Sequence, residues 1–130
     1  MIRRGAATTL FLALAGGKAF AIDQAMVRQF EKLDPQTRLE QRCDTEAMER
    51  ITQGKNSFKA DKVIAYAFSD PTIDKTRIEA PGAVFRSKGE WYRLAFRCRT
   101  ETDRIGIVSF SYQIGARVPK DQWRAHYLYP

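Results

Sequence analysis

The stretch AVFRSKGEWYRLAFRCR, residues 83–99, decides the reading of this chain. Its centre, Lys88-Gly89, is a two-residue loop with glycine second, as a type I′ hairpin turn requires. That turn pairs the flanks in one register, with Phe85 opposite Tyr92 and Arg86 opposite Trp91. The second arm then alternates. Tyr92, Leu94, Phe96 and Cys98 point one way, and Trp91, Arg93, Ala95, Arg97 and Arg99 point the other. One face is apolar and the other carries arginines, the pattern of an antiparallel sheet packed on one side.

Residues 105–114 continue the theme after the hairpin. Val108, Phe110, Tyr112 and Ile114 are expected on the apolar face, and Ser109, Ser111 and Gln113 on the polar one. Before the hairpin, Val63 to Phe68 is apolar and rich in strand formers, and Asp70-Pro71 is a turn signal. Arg77 to Glu79 reads as a short strand that stops at Pro81-Gly82. The chain closes with Val118-Pro119 and a short helical turn carrying Trp123 and Tyr127.

The N-terminal half has a different period. Ile22, Met26, Phe30 and Leu33 recur at helical spacing, which predicts a helix over 23–33. Asp34-Pro35 starts a second, with Asp34 as cap and Pro35 at the first helical position. From Gln36 to Gln53, Leu39, Cys43, Ala47, Met48 and Ile51 form one apolar stripe. Arg38, Glu40, Arg42, Glu46, Glu49 and Arg50 surround it, and the carboxylates Glu40, Asp44, Glu46 and Glu49 read as a solvated ion-pair face with the arginines near them. Gly54 is the expected stop.

Cys43 lies on the stripe of the long helix and Cys98 on the apolar face of its strand. A bond between them would pin the helix across the sheet. They are 55 residues apart, unlike the closely spaced pairs of redox enzymes, so a structural disulfide is expected. The fold class is therefore α+β, with N-terminal helices on one face of an antiparallel sheet and a helix-to-strand disulfide.

Residues 1–21 carry the marks of a cleavable secretory signal. Arg3 and Arg4 precede a short apolar core from Ala6 to Ala15, and Ala19-Phe20-Ala21 gives the small-x-small cleavage pattern. The apolar run is half the length that a spanning helix needs. Cleavage would leave residues 22–130 as one domain, periplasmic or secreted, with no transmembrane segment. The formal net charge of +7 then falls. Loss of Arg3, Arg4 and Lys18 leaves 19 basic and 15 acidic side chains, a net of +4. That balance lacks the clustered excess of a nucleic-acid binder.

The segment Leu33-Asp34-Pro35-Gln36-Thr37-Arg38-Leu39-Glu40-Gln41-Arg42-Cys43-Asp44, continued by Glu46-Ala47-Met48 and Ile51, resembles a rhizobial family of exported proteins. That family is catalogued only as a domain of unknown function, serial number nine hundred and thirty. Asp61 to Tyr66, Glu79 to Ala83, Trp91 to Leu94, Trp123 and Tyr127 to Pro130 extend the resemblance over nearly all of residues 22–130. It implies a bacterial cell-envelope setting and supplies no reaction, ligand or catalytic residue.

Function must then be sought in the residues. His126 is the single histidine, and no nucleophile motif points to it. No histidine, cysteine or carboxylate spacing suits zinc or calcium, and no glycine-rich phosphate loop is present, so neither metal nor cofactor is expected. The feature that stands out is the arginine-bearing sheet face: Arg86, Trp91, Arg93, Arg97 and Arg99. Guanidinium forks suit phosphate and carboxylate, and an indole offers a stacking surface. A binding or interaction module for an anionic glycan, a lipid headgroup or an acidic envelope protein is the leading expectation. The alternative is a small hydrolase or transferase acting on envelope polymers through paired carboxylates among Glu40, Asp44, Glu46 and Glu49.

Overall fold

The computed structural model describes residues 22–130, so the expected signal lies outside the described residues. Two helices come first: α1, Gln24–Glu31, and α2, Pro35–Gln53. Each starts on an aspartate that accepts from the first turn. The Met26 amide donates to Asp23 Oδ1 at 2.8 Å, and the Thr37 amide to Asp34 Oδ1 at 3.1 Å. Pro35 occupies the first turn of α2, where its missing N–H costs nothing.

Five strands follow: β1, Ala60–Ile64; β2, Thr72–Ile73; β3, Arg77–Ser87; β4, Glu90–Thr100; and β5, Ile107–Arg117. They form one antiparallel sheet in the order β1-β3-β4-β5, with β2 pairing the other part of β3. The hairpin has the expected register, Phe85 opposite Tyr92 and Arg86 opposite Trp91. Lys88 and Gly89 both have positive φ, 51° and 79°, as a turn matching the twist of its strands demands.

Three elements differ from expectation, each for a local reason. Pro81-Gly82 does not end a strand. It sits in a shift of register within a continuous β3, between Ala80 and Ala83. At Gly82 the bulge lets the preceding loop approach: the Phe68 amide donates to the Gly82 carbonyl at 2.8 Å, and a Cβ there would lie 2.6 Å from the Ser69 nitrogen. The apolar run Val63–Phe68 leaves the sheet after Ile64 and turns. Finally, the β4–β5 register shifts between Arg99 and Thr100, so that Ile107 packs inward and Val108 is exposed.

The sheet buries apolar side chains on both faces. On the inner face, Leu39, Cys43, Ala47 and Ile51 of α2 meet Ile78, Phe85, Leu94, Phe96 and Cys98. The Cys43–Cys98 disulfide joins α2 to β4 there, with Cα atoms 6.0 Å apart. On the outer face, Val84 and Trp91 lie under Val118, Trp123 and Leu128, which the C-terminal segment carries back across the sheet. Two single turns of 3-10 helix, Lys120–Gln122 and Arg124–His126, shape this segment. Among the described residues no helix is long and apolar enough to cross a membrane.

Candidate functional site

The C-terminal segment divides the arginine face. Trp91, expected as an open stacking surface, is 1% exposed, and its indole N–H donates to the Tyr129 carbonyl at 2.8 Å. Arg86 donates to Asp61 through Nε at 2.8 Å and reaches the Pro130 carbonyl at 3.4 Å. The Arg93 guanidinium lies 3.8 Å from the centre of the Phe68 ring, and that ring stacks on His126 at 3.9 Å. His126 in turn contacts the Ala67 carbonyl through Nδ1 at 2.9 Å. These groups bind the C-terminal segment and the loop after β1 to the sheet. Alternation along β4 identifies which residues share a face but cannot show which part of that face the distant tail covers.

Arg97 and Arg99 remain open, and the continuous β3 adds Arg77 beside them. Arg77 stands directly opposite Arg99, and Glu79 opposite Arg97. On the far side, Ser109 and Ser111 of β5 face Arg99 and Arg97. The Arg97 side chain is 76% exposed and only loosely paired, Nε to Glu79 Oε2 at 3.9 Å. Arg77 joins this face because β3 runs on through Pro81-Gly82 and keeps pairing with β4; a separate strand ending there carries no such register.

A second site lies at the opposite edge. β1 and β2 both pair with β3, and the chain loops out between them. The gap leaves a cleft of about 1020 Å³ between this edge and α2. Glu40, Asp44 and Met48, one flank of α2, form one wall. Val63, Ile73 and Ile78 line the base, and the exposed rings of Tyr66, Tyr127 and Tyr129 stand at its border.

Three flanks of α2 thus have three roles. The stripe Leu39-Cys43-Ala47-Ile51 faces the core. Arg42, Glu46 and Arg50 form a chain of ion contacts, but not in solvent as expected: Arg42 and Glu46 are buried. Glu40 and Asp44 also depart from expectation. Neither has an arginine three or four residues away. Glu40 Oε2 accepts from the Gln36 side-chain Nε2 at 3.0 Å. Asp44 Oδ1 is shut off from solvent with no hydrogen-bond partner. The sequence does hold a signal here: Gln41, Ala47 and Met48 beside Asp44 offer no counter-charge.

Burial, reinforced by the charge of Glu40, pushes the Asp44 carboxyl up to about 7 from 3.8. The folded chain therefore keeps a proton between pH 4 and 7 that the unfolded chain releases. Stability should fall as pH rises through that window. Asp44→Asn removes the loss and should stabilise the domain at pH 8 by roughly 2–4 kcal/mol while changing little at pH 4. Urea unfolding at the two pH values checks this. An equal effect at both would show that the carboxyl's charge is not the cause.

Among the described residues, no group of three or more His, Cys, Asp or Glu side chains is placed to hold a metal ion. No curated protein and no solved structure matches the chain. Fold and sites together define a class: a small α+β domain with a disulfide-stapled helix on one sheet face and a C-terminal strap on the other. The chain belongs to the family described as Domain of Unknown Function (DUF930), whose model matches residues 30–128. The match runs from Phe30, the first buried side chain of α1, to Leu128, the last of the outer core.

Proposed function

We propose that this protein is a small binding module of the bacterial cell envelope. In this reading residues 1–21 are a secretory signal and residues 22–130 act in the periplasm or outside the cell. The open arginine half-face, Arg77, Arg97 and Arg99, holds an anionic glycan, a lipid headgroup or an acidic protein surface. One observation carries the reading: Arg77 and Arg99 stand directly opposite each other on a strand pair, both exposed. Like charges in that position destabilise a sheet. An anion bridging the two guanidinium forks turns the cost into affinity. The uncovered face, with Ser109 and Ser111 alongside the arginines, suits a polymer or a macromolecular surface.

The carboxylates support binding better than hydrolysis. Glu40 and Asp44 rise from successive turns of one helix and share one wall of the cleft. Glycoside cleavage sets two acids on either side of the scissile bond.

Affinity capture tests the proposal. Oxidised protein would be immobilised and exposed to detergent-solubilised envelope extract, with the Arg97→Glu/Arg99→Glu double variant as control. Arg93 is left intact because it packs on Phe68. An anionic partner retained by the wild type and lost by the variant, at nearly unchanged melting temperature, is the expected result. A partner retained equally by both would remove the arginine face from the function.

A further inference from the structure

The cleft between α2 and the β1 edge is acidic on a molecule of the opposite sign. Glu40 and Asp44 from α2, Asp61 from β1 and Asp70 from the following loop line it against Lys62 and Arg86. Arg86 is already committed to Asp61. The local balance is two negative charges, while residues 22–130 together carry a net +4.

Asp44 adds an independent sign of a ligand. Its carboxyl lines the cleft while Oδ1 itself is sealed from solvent, so a cation in the cleft would meet the open side of the group and offset a buried charge that is costly unless something satisfies it. No backbone amide, side chain or arginine does so here. Beside its charged groups the cleft has an apolar wall, Met48, Val63, Ile73 and Ile78, with exposed tyrosine rings at the border. An apolar wall next to fixed charges suits an amphipathic small molecule, and aromatic faces favour cations.

We infer that this cleft binds an amphipathic organic cation. Its ammonium or guanidinium group would donate to Asp44, with Glu40 adding attraction, and its hydrocarbon or ring body would lie along Met48, Val63 and Ile78. The site is separate from the arginine face and does not rest on it. The open arginines of its anion-binding counterpart, Arg77, Arg97 and Arg99, are not among its lining residues, so the two could be occupied together.

Binding of the cation competes with a proton on Asp44. The charged groups that share the cleft with that carboxyl are Asp61 and Lys62 on β1, Asp70 on the loop and Arg86 on β3. At pH 8 the carboxyl is mostly ionised and at pH 5 mostly protonated. The expected loss of affinity from pH 8 to pH 5 is on the order of 50–100-fold.

Isothermal titration of the oxidised protein with hexylamine and 2-phenylethylamine, and with 1-hexanol and 2-phenylethanol as neutral counterparts, tests the site. The amines should bind at pH 8, weaken by that factor at pH 5 and release close to one proton per ligand near pH 6. The alcohols should bind at least ten-fold more weakly. Asp44→Asn should bind the amines no better than the alcohols, while its amide spectrum shows an intact fold. The Arg97→Glu/Arg99→Glu variant should bind amines as the wild type does, which separates failure of this site from failure of the arginine face. No amine binding at pH 8, equal binding of amine and alcohol, or unchanged binding by Asp44→Asn would each overturn the inference.

Discussion

Glu46→Ala should lower the stability of the domain by about 3–5 kcal/mol, the cost of stranding a buried cation. Glu46 is 1% exposed and lies between two arginines: Arg42 Nη1 at 3.0 Å from Oε1 and Arg50 Nε at 2.7 Å from Oε2. Arg42 has a second anchor, Nε to the Ile105 carbonyl at 2.7 Å, which ties α2 to the loop before β5. Its Nη1 meets Glu46 as a charge without hydrogen-bond alignment. Attraction between the ions is then what offsets the burial of Arg42, and truncating Glu46 removes it. For a domain with a typical stability of about 5–15 kcal/mol this is a large share. The urea midpoint should fall with an unchanged slope. Replacing the pair together, Arg42→Met with Glu46→Leu, should recover most of the loss, because packed apolar groups need no compensation. A Glu46→Ala variant within 1 kcal/mol of wild type would show that the burial is not paid for by this pair.

The second large effect belongs to the disulfide. Replacing both Cys43 and Cys98 by alanine should cost about 4 kcal/mol, from the entropy that a closed loop of this length removes from the unfolded chain. The bond spans 55 positions and joins the core stripe of α2 to β4. Chemical reduction should lower the melting temperature of the wild type to about that of the alanine variant, which should itself be insensitive to reductant. The effect reaches the functional face. Cys98 lies between Arg97 and Arg99, with its side chain inward and theirs outward. The staple therefore holds from behind the strand that presents both arginines. Backbone pairing with β3 and β5 also holds β4, so binding should weaken less than stability does.

Much of this architecture is legible from local pattern. The hairpin Ala83–Arg99 shows its register because turn chemistry and alternation agree, and neither depends on distant residues. The helix Pro35–Gln53 is equally plain, with its aspartate cap, its proline and its apolar stripe. What could not be read depends on long-range cover. The alternation that groups Trp91 with Arg93 and Arg97 is real. It holds no information about the tail, thirty or so residues on, that buries Trp91. The Arg42–Glu46 pairing follows from helical spacing, yet its burial depends on the loop at Ile105. The register shift at Pro81-Gly82 lets β3 continue where turn residues signal an end, and the one before Ile107 turns Val108 outward against strict alternation. Asp44 is the opposite case. Its lack of a neighbouring cation was visible in the sequence, and its meaning emerged only with the cleft.

The central claim is that Arg77, Arg97 and Arg99 form the surface that meets an anionic partner. The most direct test is an amide NMR titration of oxidised, isotope-labelled protein with inorganic polyphosphate at low and at physiological salt. Perturbations concentrated at Arg77, Arg97, Arg99, Ser109 and Ser111, weakened by salt and abolished by Arg97→Glu/Arg99→Glu, are the predicted result. Perturbations centred on other basic groups, such as Lys59, Lys120 and Arg124, or none at low salt, would contradict the account.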